Sequence, residues 1–209
     1  MDRINRMLLE NKAWAQSKVE IDSEYFSKMA KDQTPEFLWI GCADSRVPPS
    51  EITNTDPGEM FVHRNIANLV VHTDTNMLSV LQYAVEALKI PHIIVCGHYN
   101  CGGVKAALMQ QSLGLIDNWV RNIKDVYFTN KFEIESISSE KDRVNKLVEL
   151  NVINQVKNLS HSAIVQKAWK ERQYPYIHGW VYDINTGILK KLVTVDPTSK
   201  IDSAYNYGF

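Results

Sequence analysis

Cysteine is scarce in this chain of 209 residues: Cys42, Cys96 and Cys101 are the only three, an odd number without the even-numbered framework of a stapled scaffold. That excludes a small disulfide-built secreted fold and points to reduced thiols serving as ligands or core residues, with the cytoplasm as the expected compartment. Long apolar runs are lacking too. None approaches the roughly 18 residues of a membrane span, and Met1-Asp2-Arg3-Ile4-Asn5-Arg6 opens without the apolar stretch of a secretory signal. Neither sign of charge dominates, with 23 Lys and Arg against 24 Asp and Glu and no block of like charge, so neither nucleic acid nor a membrane is an expected partner. Repeats, low-complexity tracts and Pro/Gly linkers are absent as well. Residues 1–209 are therefore expected to form a single domain, whose 44% apolar content suffices for a sizeable core.

What is present is an alternation of short apolar runs and helical patterns. From Ile4 through Met7, Leu8, Trp14 and Ala15 the apolar positions recur at helical spacing, which predicts an N-terminal helical arm over about the first thirty residues, laid against another surface. Phe37-Leu38-Trp39-Ile40, ending at Gly41, and Ile93-Ile94-Val95-Cys96, ending at Gly97, are continuous apolar runs of the kind buried on both faces of a parallel sheet. Glu59–Val62 reads as another strand. Asp74 is placed to cap a helix carrying Leu78, Leu81, Val85 and Leu88, and Val104–Gln110, Trp119–Phe128 and Val144–Trp169 read as further helices. Tyr176–Val195 reads as two strands joined across Asn185-Thr186-Gly187. The fold expected is α/β, a mostly parallel central β-sheet flanked by helices with the N-terminal helical arm.

Two segments carry chemistry, each just after an apolar strand: Cys42-Ala43-Asp44-Ser45-Arg46 and His98-Tyr99-Asn100-Cys101-Gly102-Gly103. Ligands in open α/β sheets gather beyond the carboxyl ends of the strands, so these side chains are expected to converge. Two thiolates and an imidazole suit zinc, with three protein ligands and an open position in a catalytic site. Asp44 is a candidate fourth ligand, and Arg46 is two residues away, near enough to grip the same carboxylate through paired hydrogen bonds.

Through C-A-D-S-R at 42–46 and H-Y-N-C-G-G at 98–103 the sequence resembles the β-carbonic anhydrases. The resemblance extends to Phe61–Asn68 after the second strand and to His178-Gly179-Trp180-Val181-Tyr182-Asp183. It implies one zinc ion per chain on Cys42, His98 and Cys101, with reversible hydration of carbon dioxide to bicarbonate and a proton by zinc-bound hydroxide. Asp44 then either occupies the fourth position or pairs with Arg46 and frees it for water, a two-state switch that implies an alkaline activity optimum. Trp39, Arg64 and Tyr182, with Gly41 nearby, match a bacterial subgroup in which such residues frame a second, non-catalytic and allosteric bicarbonate site. The resemblance also implies self-association as a dimer or tetramer, the arm packing on a partner subunit.

Rival readings of the same residues are a zinc hydrolase of carbon disulfide or carbonyl sulfide and a non-catalytic zinc module. A thiol redox pair of Cys96 and Cys101 lacks the C-x-x-C spacing. Cys96 is expected in the core, and His63, His72, His92, His161 and His178 are read as ordinary surface or core histidines.

Overall fold

Runs of apolar residues with no polar face make strands that are covered on both sides, and two of them build the centre of the sheet. The computed structural model describes residues 2–209, which divide into two compact units, one ending at Thr34 and one spanning Pro35–Phe209. The first unit is helical. α1 (Arg3–Ile21) is capped by Asp2, whose side chain accepts from the Ile4 amide, and α2 (Tyr25–Met29) follows, with Phe26 edge-on to Trp14 at 5.7 Å. No residue of α1 is buried, so Ile4, Met7 and Leu8 stay exposed.

The second unit opens with β1 (Phe37–Cys42), α3 (Pro49–Thr53), β2 (Met60–Asn65) and a 3-10 turn over Ile66–Asn68. α4 (Thr75–Gln82) is capped by Asp74 as expected and runs on through a π turn, Tyr83–Ala87. β3 (His92–His98) leads into α5 (Gly102–Leu108), α6 (Ile116–Thr129) and α7 (Lys131–Glu135). The long helical pattern after Val144 is two helices, α8 (Glu140–Ser160) and α9 (Ala163–Arg172), because the Ser162 hydroxyl accepts from the Val165 amide and starts a new helix. The hairpin β4 (Tyr176–Asp183) and β5 (Ile188–Val195) closes the sheet.

Strand order is β2-β1-β3-β4-β5, parallel through β4 with β5 antiparallel on the edge. One face of the sheet packs Leu38, Ile40, Ile93 and Val95 against Val152, Val156 and Leu159 of α8 and Met77 and Leu81 of α4. Each such fully buried side chain contributes about 1.5–3 kcal/mol by leaving water. The opposite face carries a smaller cluster, Trp39, Ile94 and Cys96, with Trp180 and Tyr182 against it. Because β1 and β3 are neighbours, Cys42 and His98 close adjacent parallel strands at the same, carboxyl end of the sheet. Among the described residues no helix is long and apolar enough to cross a membrane.

Candidate metal centre

Cys42 closes β1, His98 closes β3, and Cys101 is the residue from which α5 starts. Their donor atoms all lie within 4.8 Å of one another, the two sulfurs 3.9 Å apart, and all three side chains are buried. The His98 imidazole is fully buried, with Nδ1 3.0 Å from the carbonyl oxygen of Tyr99. A carbonyl only accepts, so Nδ1 carries the proton and Nε2 turns a lone pair toward the thiols. That Nε2 has no hydrogen-bond partner among the described residues. An orphaned buried acceptor beside two thiols fits a cation, and the three residues could hold a metal ion.

The thiols act as one unit. The hydrogen bond between them pulls Cys42 well below the ordinary thiol range, against its burial, and the same bond together with burial pushes Cys101 up, so the pair shares a proton. Cys42 Sγ also accepts the backbone N–H of Ala67 at 3.4 Å. Cys96, sealed in β3, is pushed up by burial alone, and its thiol donates to the Gly97 carbonyl; it is a core residue, as expected.

Asp44 sits beside the cluster, its Oδ2 3.6 Å from His98 Nε2. Arg46 grips it from the other side: Nε donates to Oδ1 at 2.9 Å, Nη2 to Oδ2 at 2.7 Å, and the Arg46 amide to Oδ1 at 3.0 Å. The Arg46 side chain is the main reason the Asp44 carboxyl is held far below the usual carboxylate range, burial working against it. Arg64 ties down the backbone of the same loop, Nε donating to the Cys42 carbonyl at 2.9 Å and Nη2 to the Asp44 carbonyl at 2.5 Å.

Trp39 and Gly41 lie on the opposite sheet face, fully buried and nearly in contact: a Cβ on Gly41 would sit 2.2 Å from Trp39 Nε1. Tyr182 packs against the same cluster, and the ring edge-on to Trp39, at 6.5 Å, is Trp180. Arg64 is level with Gly41 in the register but spends its donors on the Cys42–Asp44 loop. The structure therefore gathers Trp39, Gly41 and Tyr182 and directs Arg64 to the Cys42–Asp44 loop.

The family profile described as carbonic anhydrase matches residues 37–189, which include every residue of this centre. The chain belongs to the carbonic anhydrase family. It is 49% identical over 188 residues to a carbonic anhydrase of Emericella nidulans, covering 90% of this chain and 82% of that protein. Among solved structures it is similar to a tetrameric β-carbonic anhydrase of Sordaria macrospora, with TM-score 0.88 and 40% identity over 92% of this chain and 98% of that one. A Coccomyxa β-carbonic anhydrase in complex with acetazolamide gives TM-score 0.89 and 44% identity over 93% and 89%. The chain is thus a β-class carbonic anhydrase, a carbonate dehydratase.

Around the centre of this carbonic anhydrase, motif residues are held by partners that the motifs do not contain: Glu149 and Lys190, and Asn151, Gln155 and Asn158. Tyr99 donates to Glu149 Oε1 at 2.5 Å, and Lys190 donates to the same oxygen at 2.9 Å, which fixes the loop between His98 and Cys101 to α8 and β5. Burial and the Glu149 partner both raise the Tyr99 phenol, so it stays a donor. Ala67, whose amide reaches Cys42, belongs to a turn held by Asn151, Gln155 and Asn158 of α8. The signal for these was three amide side chains recurring at i, i+4 and i+7 in a helix otherwise packed on apolar residues.

Proposed function

We propose that Cys42, His98 and Cys101 hold one zinc ion per chain and that carbon dioxide is hydrated to bicarbonate and a proton at this centre, with Asp44 and Arg46 as its gate. The observation that carries the reading is the buried, unpartnered His98 Nε2 facing two thiols within 4.8 Å, with a carboxylate 3.6 Å away. Zinc, when bound, supplies the Lewis acidity that ionises water in the neutral to alkaline range. The protein's own residues do the rest. Arg46 keeps Asp44 ionised and outside the donor cluster, leaving one position open for water and substrate. Released from Arg46, the carboxylate is near enough to swing onto the cluster and close it, which makes the enzyme slower as pH falls.

Bicarbonate inhibition through a second site at Trp39, Gly41, Arg64 and Tyr182 is part of the same proposal. Two features support it. Trp39 Nε1 is buried without a hydrogen-bond partner among the described residues, a donor in need of an acceptor. Arg64 holds the backbone on both sides of Ala43, so an anion that drew its guanidinium away would loosen the loop carrying Asp44. The whole chain is proposed to work as one domain in the cytoplasm, as a dimer or tetramer, with the exposed Ile4, Met7 and Leu8 of α1 covered by a second copy.

The test is stopped-flow carbon dioxide hydration by metal-analysed protein from mildly acidic to alkaline pH, beside Cys101→Ser. Hydration that rises with pH, tracks about one zinc per chain and is lost in Cys101→Ser is the expected result. Zinc without hydration, even at alkaline pH, would overturn it in favour of a sulfur-substrate hydrolase or a closed zinc module.

A further inference from the structure

Behind Cys42 lies a backbone conformation that the local sequence does not favour. Ala67 has φ 62° and Asn68 φ 51°, two consecutive non-glycine residues in the left-handed region. Such a pair persists only where its surroundings over-determine it. The turn cannot relax toward α5, because it packs so closely there that a Cβ on Gly103 would stand 2.7 Å from Ile66 Cγ2 and 3.2 Å from Ala67 Cβ. Its entry is fixed by Asn65, whose Oδ1 accepts from the Leu69 amide at 2.7 Å and whose Nδ2 donates to the Leu69 carbonyl at 2.8 Å.

The rest of the restraint comes from one stripe of α8. Asn151 Nδ2 donates to the Ala67 carbonyl at 3.1 Å, Gln155 Oε1 accepts from the Val70 amide at 2.9 Å, and Asn158 Nδ2 donates to the Val70 carbonyl at 3.0 Å. The three are joined to one another: Gln155 Nε2 donates to Asn151 Oδ1 at 2.9 Å and Asn158 Nδ2 to Gln155 Oε1 at 3.2 Å. Asn151 and Gln155 are each 1% exposed, so these bonds form away from water, where an unmade bond is costly. The product of the arrangement is one vector: the Ala67 N–H aimed at Cys42 Sγ.

We propose that Asn151, Gln155 and Asn158 are positioning residues of the metal centre, which hold the Ile66–Val70 turn so that the Ala67 amide donates to the Cys42 thiolate. An N–H bond to a metal-bound sulfur lowers the energy of the sulfur lone pairs and fixes the orientation of the ligand, as partners of ligands do at metal sites generally. The inference rests on the proposal that Cys42 is a metal ligand.

The test uses Asn151→Leu, which keeps the volume and removes the bond to Ala67, and Asn158→Leu at the half-buried end of the stripe. Two readouts report on the metal: the rate at which a chelator strips zinc from the holoenzyme, and the thiolate-to-metal charge-transfer band of the cobalt(II)-substituted protein. Zinc is expected to leave about 10-fold faster from Asn151→Leu, the lower end of what partners of ligands contribute, with the cobalt band shifted to lower energy. Asn158→Leu moves both in the same direction by less and keeps the question answerable should Asn151→Leu not fold. Ala67→Gly keeps the N–H and adopts the left-handed conformation without strain, so adding it to Asn151→Leu is expected to restore both readouts in part.

Folded variants that melt earlier but release zinc at the parent rate, with the cobalt band in place, would reduce the stripe to a structural role and overturn the inference. So would an Ala67→Gly double variant that restores nothing. A parent protein that binds no zinc, or binds it equally well as Cys101→Ser, would instead bring down the metal assignment, and the inference with it.

Discussion

His98 Nε2, sealed from solvent, lies 3.6 Å from Asp44 Oδ2, while that same oxygen takes a hydrogen bond from Arg46 at 2.7 Å. One carboxylate thus stands between a donor cluster and a guanidinium, and in the proposed gate the partner that holds it sets whether the centre is open. Arg46→Gln removes the grip and leaves Asp44 free to close on the cluster. Carbon dioxide hydration should fall by about 10- to 100-fold, the range typical for partners of metal ligands. Arg46→Lys should recover little, since an ammonium cannot reproduce the paired bond geometry. Undiminished activity in Arg46→Gln at mildly acidic pH would remove the gate from the mechanism.

Gly41 is constrained by its neighbour and not by its backbone. A methyl group there would stand 2.2 Å from Trp39 Nε1 and 2.9 Å from Cδ1, and Trp39 is fully buried with no solvent to move into. Gly41→Ala should therefore destabilise the fold by about 1–3 kcal/mol, the usual cost of overpacking a core. The measurement is the urea midpoint at unchanged slope. A midpoint equal to the parent's would mean that the tryptophan moves aside freely.

The far end of the sheet from the metal centre carries a pH dependence of its own. His178 Nε2 is 3.2 Å from His92 Nδ1, and burial, then His92, then Lys191, lower the His178 imidazole from 6.5 to about 4. Between those values the unfolded chain binds the proton more readily than the native one, so stability rises with pH across the window and falls as acid is added. The imidazole is part-buried and still reaches solvent, which keeps the effect modest. His178→Gln should flatten the urea midpoint against pH between about 4 and 6.5. A parent curve already flat there would show that His178 titrates normally.

The strands were legible because burial on both faces leaves nothing polar to interrupt them: Phe37–Ile40 and Ile93–Cys96 announce themselves, and each structural strand extends two residues further to end on Cys42 or His98. The meeting of Cys42, His98 and Cys101 as a candidate metal cluster followed from that, since neighbouring parallel strands bring their carboxyl ends together. Asp74 and the Asn185–Gly187 turn were readable from cap and turn chemistry acting over a few residues. The Ile66–Asn68 turn was not, because Ile-Ala-Asn has no glycine and its left-handed residues are imposed by Asn151, Gln155 and Asn158, more than eighty positions away. The short helices α3 and α7 escaped for a related reason: five residues carry too little periodicity to distinguish them from loops.

The proposed second bicarbonate site stands or falls with Trp39. Its Nε1 is buried and has no hydrogen-bond partner among the described residues, so Trp39→Phe removes a donor without breaking a bond seen there and leaves most of the packing against Trp180 and Ile94. The variant should remain folded and should hydrate carbon dioxide at close to the parent rate, since Trp39 lies on the sheet face away from α8 and is not among the metal donors. What should change is the response to added bicarbonate. If the indole N–H is what an anion uses to lodge near Arg64, inhibition weakens by about 10-fold, equivalent to one charge-assisted hydrogen bond of about 1.4 kcal/mol. By reciprocity, at bicarbonate concentrations that inhibit the parent, the same variant should favour the open arrangement, with Asp44 on Arg46, at lower pH than the parent. Inhibition curves that superimpose for parent and Trp39→Phe would leave the buried indole without a ligand and confine bicarbonate to the metal centre.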